Sequence, residues 1–259
     1  IRLWDMQRTP VDAKEPFAKG KPVRKWMVAK LDEARTDVLK VSARSSKDGA
    51  EIVLRTRTWG HDRKKAIVTD HRLVVDAAGG ISCEHRFVVD KDLPDLPRIG
   101  VHLLLPAGFE AMEWFGLGPH ETYNDRRTCG IVGRFATTVT DEYVPHIMPQ
   151  EHGHHIDTRW ISLRRKDGAG ILVSAEGQLE FNASHTDIHD LTKARHTTDV
   201  HWDDRVHLHL DAAHRGLGTA SCGPDTFEQY RVPAGRTYRL AYRLLPLAKG
   251  QDAGAAHRG

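Results

Sequence analysis

The sequence predicts an all-β protein, a large antiparallel β-sandwich, and three observations carry that expectation. Short runs alternate apolar and polar residues with period two. Glycine-, aspartate- and proline-rich turns separate the runs at regular spacing. Long patterns of helical period are nearly absent. Period two places one face of a strand in a core and the other in water, the habit of antiparallel sheets. Many such strands between turn signals point to a sandwich.

The elements follow in order. Asp12–Pro22 is rich in Lys, Pro, Ala and Gly and reads as a mobile loop within an N-terminal segment 1–22. Arg24–Leu31 is ambiguous between helix and strand. Strands are expected at Val38–Ala43, Ile52–Arg57, Ala66–Val75, Ile81–Val89, Arg98–Leu105 and Gly130–Thr138. Further strands are expected at Thr158–Arg165, Gly170–Ser174, Leu179–Ala183, Val206–Asp211 and Tyr238–Leu245. In Val206–Asp211, Leu208 and Leu210 alternate with His207, His209 and Asp211, which puts the latter three on the wet face. Lys47-Asp48-Gly49, Ala78-Gly79-Gly80, Lys166-Asp167-Gly168 and Pro233-Ala234-Gly235 are the turns. Asp187–Arg195 suits one short helix capped by Thr186 or Asp187. Gly250–Gly259 reads as a disordered tail. No linker or internal repeat divides the chain, so residues 1–259 are expected to form one domain.

Composition narrows the function. The 259 residues carry a formal charge of +3, too small an excess to argue for nucleic acid. No apolar run approaches the roughly 20 residues of a membrane span. Cys83, Cys129 and Cys222 are odd in number, far apart and without zinc spacing, which favours a reducing, cytoplasmic compartment. No signal peptide is expected. The start at Ile1 suggests a piece of a longer polypeptide.

The densest polar segment is Gly116-Leu117-Gly118-Pro119-His120-Glu121-Thr122-Tyr123-Asn124-Asp125-Arg126. It resembles the G-L-G-P-x-E-x-Y-x-D-R signature of the C-terminal domain of large bacterial β-galactosidases, glycoside hydrolase family 2. Other motifs follow in the family's order. Leu3-Trp4 with Arg8-Thr9-Pro10-Val11-Asp12 is a worn form of L-W-R-A-P-T-D-N-D, with extra residues after Trp4 and with Val11 and Ala13 at the usual Thr and Asn positions. Arg98-Ile99-Gly100, Asp141-Glu142-Tyr143-Val144-Pro145, Pro149-Gln150-Glu151-His152-Gly153 and Thr158-Arg159-Trp160 come next. Phe181-Asn182-Ala183-Ser184, Leu191 with His196, and Gly216-Leu217-Gly218-Thr219-Ala220-Ser221-Cys222-Gly223-Pro224 complete the series.

The resemblance implies the supersandwich fold shared with galactose mutarotase. It implies a parent that hydrolyses terminal β-D-galactosides such as lactose, with its catalytic glutamates in a TIM barrel outside this chain. The isolated chain would then be inactive and hold no catalytic residue. The remaining domains of the same enzyme, the galactoside and further copies in a homo-oligomer are the implied partners. Magnesium and sodium ions would belong to the full-length enzyme. The Gly216–Pro224 loop would border the aglycone side of the sugar site through Ser221, Cys222 and Gly223. Cys222 stands where many relatives carry a sugar-stacking tryptophan. A plain hairpin turn with a buried thiol is the alternative for that loop.

Other constellations have structural readings beside them. A retaining glycosidase needs two carboxylates about 5–5.5 Å apart. Glu121 with Asp125, or Asp141 with Glu142, are the pairs available, and pairing with Arg126 or Arg127 and capping of loop amides is the favoured reading. Cys222 beside His214 lacks any legible base and orienting group for a nucleophile. His146, His152, His154 and His155, near Glu151 and Asp157, read as a solvated loop that binds nickel or zinc fortuitously, and no metal site is assigned. His185, His189 and His196 flank the short helix, and His196 is expected to hold a structural hydrogen bond. Trp114, Trp160, Trp202 and Tyr123 are read as core or interdomain contacts rather than a sugar platform. Two other functions stay open. A stand-alone aldose 1-epimerase would nominate His102 with Glu228 or Glu180. A carbohydrate-binding module would need an exposed aromatic row.

Overall fold

The computed structural model describes residues 22–217 and 225–258. The described part is all-β and antiparallel, as expected. Its strands are β1 (Arg35–Ser46), β2 (Gly49–Trp59), β3 (Ala66–Asp76), β4 (Ile81–Val89), β5 (Arg98–Leu105) and β6 (Ala111–Gly118). They continue as β7 (Ile131–Thr138), β8 (His154–Arg164), β9 (Gly170–Ser184), β10 (Val206–His214) and β11 (Thr237–Leu247). Three short α-helices accompany them among the described residues: α1 (Pro22–Val28), α2 (Ile188–Lys193) and α3 (Ala253–Arg258). The ambiguous Arg24–Leu31 segment thus resolves mainly into α1. Asp187 caps α2 by accepting from the His189 amide, which decides between the two cap candidates.

The strands form a single hydrogen-bonded network that branches at β9. The path runs β1-β2-β3-β4-β11-β9-β8-β6-β7, and β10 joins β9 to β5. Gly170–Ala175 of β9 pairs with β11, and Glu180–Ser184 pairs with β10, while β8 lies along the other edge. The two expected strands Gly170–Ser174 and Leu179–Ala183 are therefore one strand of 15 residues. Gly177, at φ 91°, occupies its middle, where neither wing is paired and a left-handed backbone suits glycine. The wings close over a shared core. Phe87 and Cys83 of β4 and Leu240 and Tyr242 of β11 meet Leu208 and Leu210 of β10, Phe181 of β9, Ile161 of β8 and Trp114 of β6.

Two expectations need correcting. Residues 250–258 are not a disordered tail. Residues 253–258 form α3, where Ala253 is buried with Trp160, Leu172 and Leu247, and His257 Nδ1 lies 2.7 Å from the Ser174 hydroxyl. The small residues Ala253 and Gly254 let this turn of helix sit close on β8 and β9. The second correction concerns β10, which has no wet face along Val206–Asp211. All six residues are buried, because β10 is flanked by β5 and β9 and covered on both faces.

Candidate functional site

The covered second face of β10 is polar, and strand register assembles it. Residues directly opposite on paired strands share a face, and alternate residues change face. Asp211 lies opposite Gly100 of β5 and Glu180 of β9; His209 lies opposite His102 and Asn182; His154 of β8 lies opposite Asn182. One face thus gathers Glu180, Asn182, His154, His209 and Asp211, with Arg98 and His214 paired at the end of β5 and β10. The other face holds Leu208, Leu210, Phe181 and Ala183 in the core. His154 and His155, adjacent and both fully buried, divide between the faces. His154 contacts Tyr123 and His214, and His155 packs on Trp114 and Phe181 and meets Glu142 Oε2 at 2.9 Å.

The signature segment roofs this polar face. The Tyr123 ring, 1% exposed, lies 5.3 Å from the His154 ring and 5.5 Å from that of His214. Asn124 Nδ2 donates to Glu180 Oε1 and to the His214 carbonyl, both at 3.1 Å. Thr122 and the His154–Ile156 backbone bond each other through two further hydrogen bonds. The density of polar residues in this segment therefore reflects a buried polar surface beneath it.

Arg98 anchors the face. Its Nε donates to Asp211 Oδ2 at 3.1 Å, its Nη2 bonds the same carboxylate, and its Nη1 lies 3.8 Å from Glu151 Oε2. Burial pushes the Asp211 carboxyl above its usual range, against the opposing pull of the Arg98 charge. The Arg-Ile-Gly motif has a steric reason here. A Cβ on Gly100 would lie 2.2 Å from the Leu210 carbonyl oxygen and 2.3 Å from Asp211 Oδ1. Only glycine lets the Asp211 carboxylate cross β5 to reach Arg98. Gly100→Ala is expected to destabilise the fold by about 1–3 kcal/mol. Urea denaturation checks this, and an unchanged midpoint would remove the steric explanation.

Beside Arg98 lie Glu151, His154 and His214, all buried, with one ligand-capable atom from each within 4.8 Å of the others. His214 Nε2 is 3.5 Å from Glu151 Oε1, and its Nδ1 donates to the Arg215 carbonyl at 2.8 Å. His154 Nε2 lies 3.0 Å from Glu180 Oε2. Burial, with the His214 and Arg98 charges, drives the His154 imidazole well below its usual range and keeps it neutral. The expected solvated histidine loop is thereby overturned: His152, His154 and His155 are all buried. From this face a row of rings runs outward, with His102 stacked on His209 at 4.4 Å and on His207 at 5.1 Å.

The other expected positions fall as follows. Ser221, Cys222 and Gly223 lie outside the described residues, as does the Leu3–Ala13 segment. The described ends of the loop are tied to Asp125, whose carboxylate accepts from the Leu217 amide at 3.0 Å and the Thr226 hydroxyl at 3.2 Å. Gly216 is glycine because a Cβ would meet that carboxylate at 2.6 Å. Glu121 pairs with Arg126 at 3.2 Å and accepts from the Gly153 amide at 2.8 Å. Glu121 thus pairs and caps as expected, Asp125 accepts from an amide and a hydroxyl, and Arg127 pairs with Asp157 instead. Glu142 is taken by His155. Trp114, Trp160 and Tyr123 are buried, and of the four aromatic candidates only Trp202 is exposed. His196 is exposed, 3.3 Å from Asp199, whose carboxylate also caps the Arg195 and His196 amides. His185 bonds Glu110 at 2.7 Å. Of the epimerase nominees, His102 stands at the outer end of the histidine row and Glu180 is bonded to Asn124 and His154. Glu228 lines a separate groove with Lys91, Arg231 and Arg236.

Residues 98, 151, 154, 211 and 214 escape sequence reasoning as a group. Arg98 and Glu151 stand out only as motif letters, and Asp211 reads as a wet-face residue. The legible signal was the proximity of charged residues to the motif glycines, Arg98 to Gly100 and Glu151 to Gly153.

This all-β domain, with its buried polar face under the signature segment, can be placed among known proteins. The model of the β-galactosidase small chain family matches residues 2–244. The chain belongs to that family. A β-galactosidase of Vibrio cholerae serotype O1 is 32% identical over 207 residues, 80% of this chain and 19% of the relative. One of Staphylococcus xylosus is 34% identical over 159 residues, 61% of this chain and 16% of the relative. One of Kluyveromyces lactis is 27% identical over 243 residues, 90% of this chain and 22% of the relative. The chain thus spans about a fifth of the length of these relatives. Among solved structures, an aldose epimerase homologue from C. elegans aligns over 82% of this chain and 69% of its own, at 10% identity and a TM-score of 0.37. That likeness is too distant to bear on chemistry. Among the described residues, no helix is long and apolar enough to cross a membrane.

Proposed function

We propose that this chain is the C-terminal, small-chain portion of a β-galactosidase that hydrolyses terminal β-D-galactosides such as lactose. The observation that supports the reading is the family match over residues 2–244, with relatives named β-galactosidase that are several times longer. In this reading the catalytic carboxylates stand in a TIM barrel elsewhere in the enzyme, and this domain closes one side of the site. Ser221, Cys222 and Gly223 border the aglycone side, on a loop whose two ends are tied to Asp125. The enzyme is cytoplasmic and homo-oligomeric, and magnesium or sodium ions belong to its other domains.

Complementation tests this. The chain is mixed with a polypeptide carrying the barrel portion of the enzyme, and a chromogenic β-galactoside is assayed. Hydrolysis is expected from the mixture and from neither piece alone. Two well-folded pieces that stay inactive together would overturn the assignment.

A further inference from the structure

Ten buried side-chain nitrogen or oxygen atoms among the described residues lack a hydrogen-bond partner, and five belong to one place. They are Glu151 Oε1, His154 Nδ1, His214 Nε2, Arg98 Nη1 and the Tyr123 hydroxyl. Orphaned polar atoms scattered through a fold are packing imperfections, whereas a convergence of them marks something that belongs among them.

The electronic character of three of these atoms is decided by their neighbours. His214 donates Nδ1–H to the Arg215 carbonyl at 2.8 Å, so in the neutral ring Nε2 carries a lone pair. His154 gives Nε2–H to Glu180 Oε2 at 3.0 Å, so its Nδ1 carries a lone pair. Glu151 Oε1 is a carboxylate oxygen. Three lone pairs thus converge, held by side chains that are 5%, 0% and 1% exposed for Glu151, His154 and His214. A water molecule has two hydrogens and cannot serve three acceptors. A cation can.

Charge points the same way. Within this buried face the carboxylates of Glu151, Asp211 and Glu180 face the single guanidinium of Arg98. Three buried carboxylates against one guanidinium leave negative charge in excess, which is costly unless paired. The histidines also show the arrangement that orients metal ligands, the far ring nitrogen of each being fixed by a carboxylate or a backbone carbonyl. Two imidazoles and a carboxylate are a donor set suited to zinc.

We propose that Glu151, His154 and His214 bind one divalent zinc-type ion, with Glu180 and the Arg215 carbonyl orienting the two imidazoles. The ion clamps β8, β10 and the 149–153 loop beneath Tyr123. Zinc bonds to nitrogen and oxygen are about 2.0–2.2 Å, so the three ligand atoms, now within 4.8 Å of each other, draw inward on binding. The histidine row from exposed His102 through His209 offers an approach from the surface. This inference stands independently of the hydrolase reading.

The test uses the full chain, stripped with a chelator and freed of any affinity tag. Titration with Zn2+ is expected to show one tight equivalent that raises the melting temperature. Co2+ in its place is expected to give the intense visible absorption of a four-coordinate site. Glu180→Gln should weaken binding about 10–100-fold. A folded His154→Asn/His214→Gln variant should lose the tight equivalent, whereas His196→Asn/His201→Asn, at exposed positions, should keep it. Failure of the double variant to fold leaves the decision with the wild-type cobalt spectrum. No tight equivalent, a weak six-coordinate cobalt spectrum, or undiminished binding by the folded double variant would each overturn the proposal.

Discussion

Arg98→Met is expected to destabilise the chain by about 3–5 kcal/mol, the usual cost of stripping one partner from a buried ion pair. The residue is 8% exposed on its side chain, and its guanidinium faces Asp211 and Glu151, at 2% and 5%. Methionine fills much of the same volume, so the loss reports uncompensated carboxylates rather than a cavity. Asp211→Asn in the same chain removes one of those charges and should recover part of the loss, the non-additivity that marks a direct interaction. Arg98→Lys should recover little, since an ammonium group cannot reproduce the two-nitrogen contact with one carboxylate. Urea denaturation of the four chains measures all of this. An Arg98→Met chain within 1 kcal/mol of the parent would show that the pair is not what holds β5 to β10.

The second large effect concerns pH and lies on the other wing. His85 is 6% exposed, with Nδ1 2.8 Å from His71 Nδ1 and Nε2 3.3 Å from the Tyr242 hydroxyl. Burial, reinforced by the neighbouring His71, pushes its pKa down from 6.5 to about 4. The unfolded chain therefore takes up this proton near pH 6.5, while the folded chain refuses it until about pH 4. Stability is full above pH 6.5, falls between these values and levels below the folded pKa. The loss assigned to this one ring is about 3 kcal/mol. His85→Gln keeps a hydrogen-bonding side chain but cannot protonate. Between pH 7 and 4 the parent should lose about that much more stability than the variant. Parallel pH profiles for the two chains would show that His85 does not carry the effect.

Much of the fold was legible because its strands obey simple rules. β4 and β5 fall at the expected residues, and Asp187 caps α2 where the pattern placed a cap. β6 has no counterpart among the expected strands, and β9 divides into two expected strands because Glu176–Gln178 interrupts the apolar run. The polar face was illegible for a stronger reason. Alternation reports which residues share a face but not what covers that face. Asp211 looks solvated until Arg98 is laid beside it, with Glu151 of the 149–153 loop behind that guanidinium. Those partners come from far along the chain, so no local pattern announces them. Likewise Glu151 and His154 are close in sequence, but His214 stands far along the chain and reaches them only because β8 and β10 both pair with β9. Ser221, Cys222 and Gly223 rest on resemblance and on the proposed assembly.

The branch at β9 has a thermodynamic consequence. One wing is bonded to its first half and the other wing to its second half, on the same edge, while β8 spans both. Neither wing can therefore be released as a separately melting unit without unzipping a strand that the other wing requires. The two layers are bound into one cooperative transition, in which damage at Arg98 on one wing and protonation at His85 on the other draw down the same free energy of unfolding.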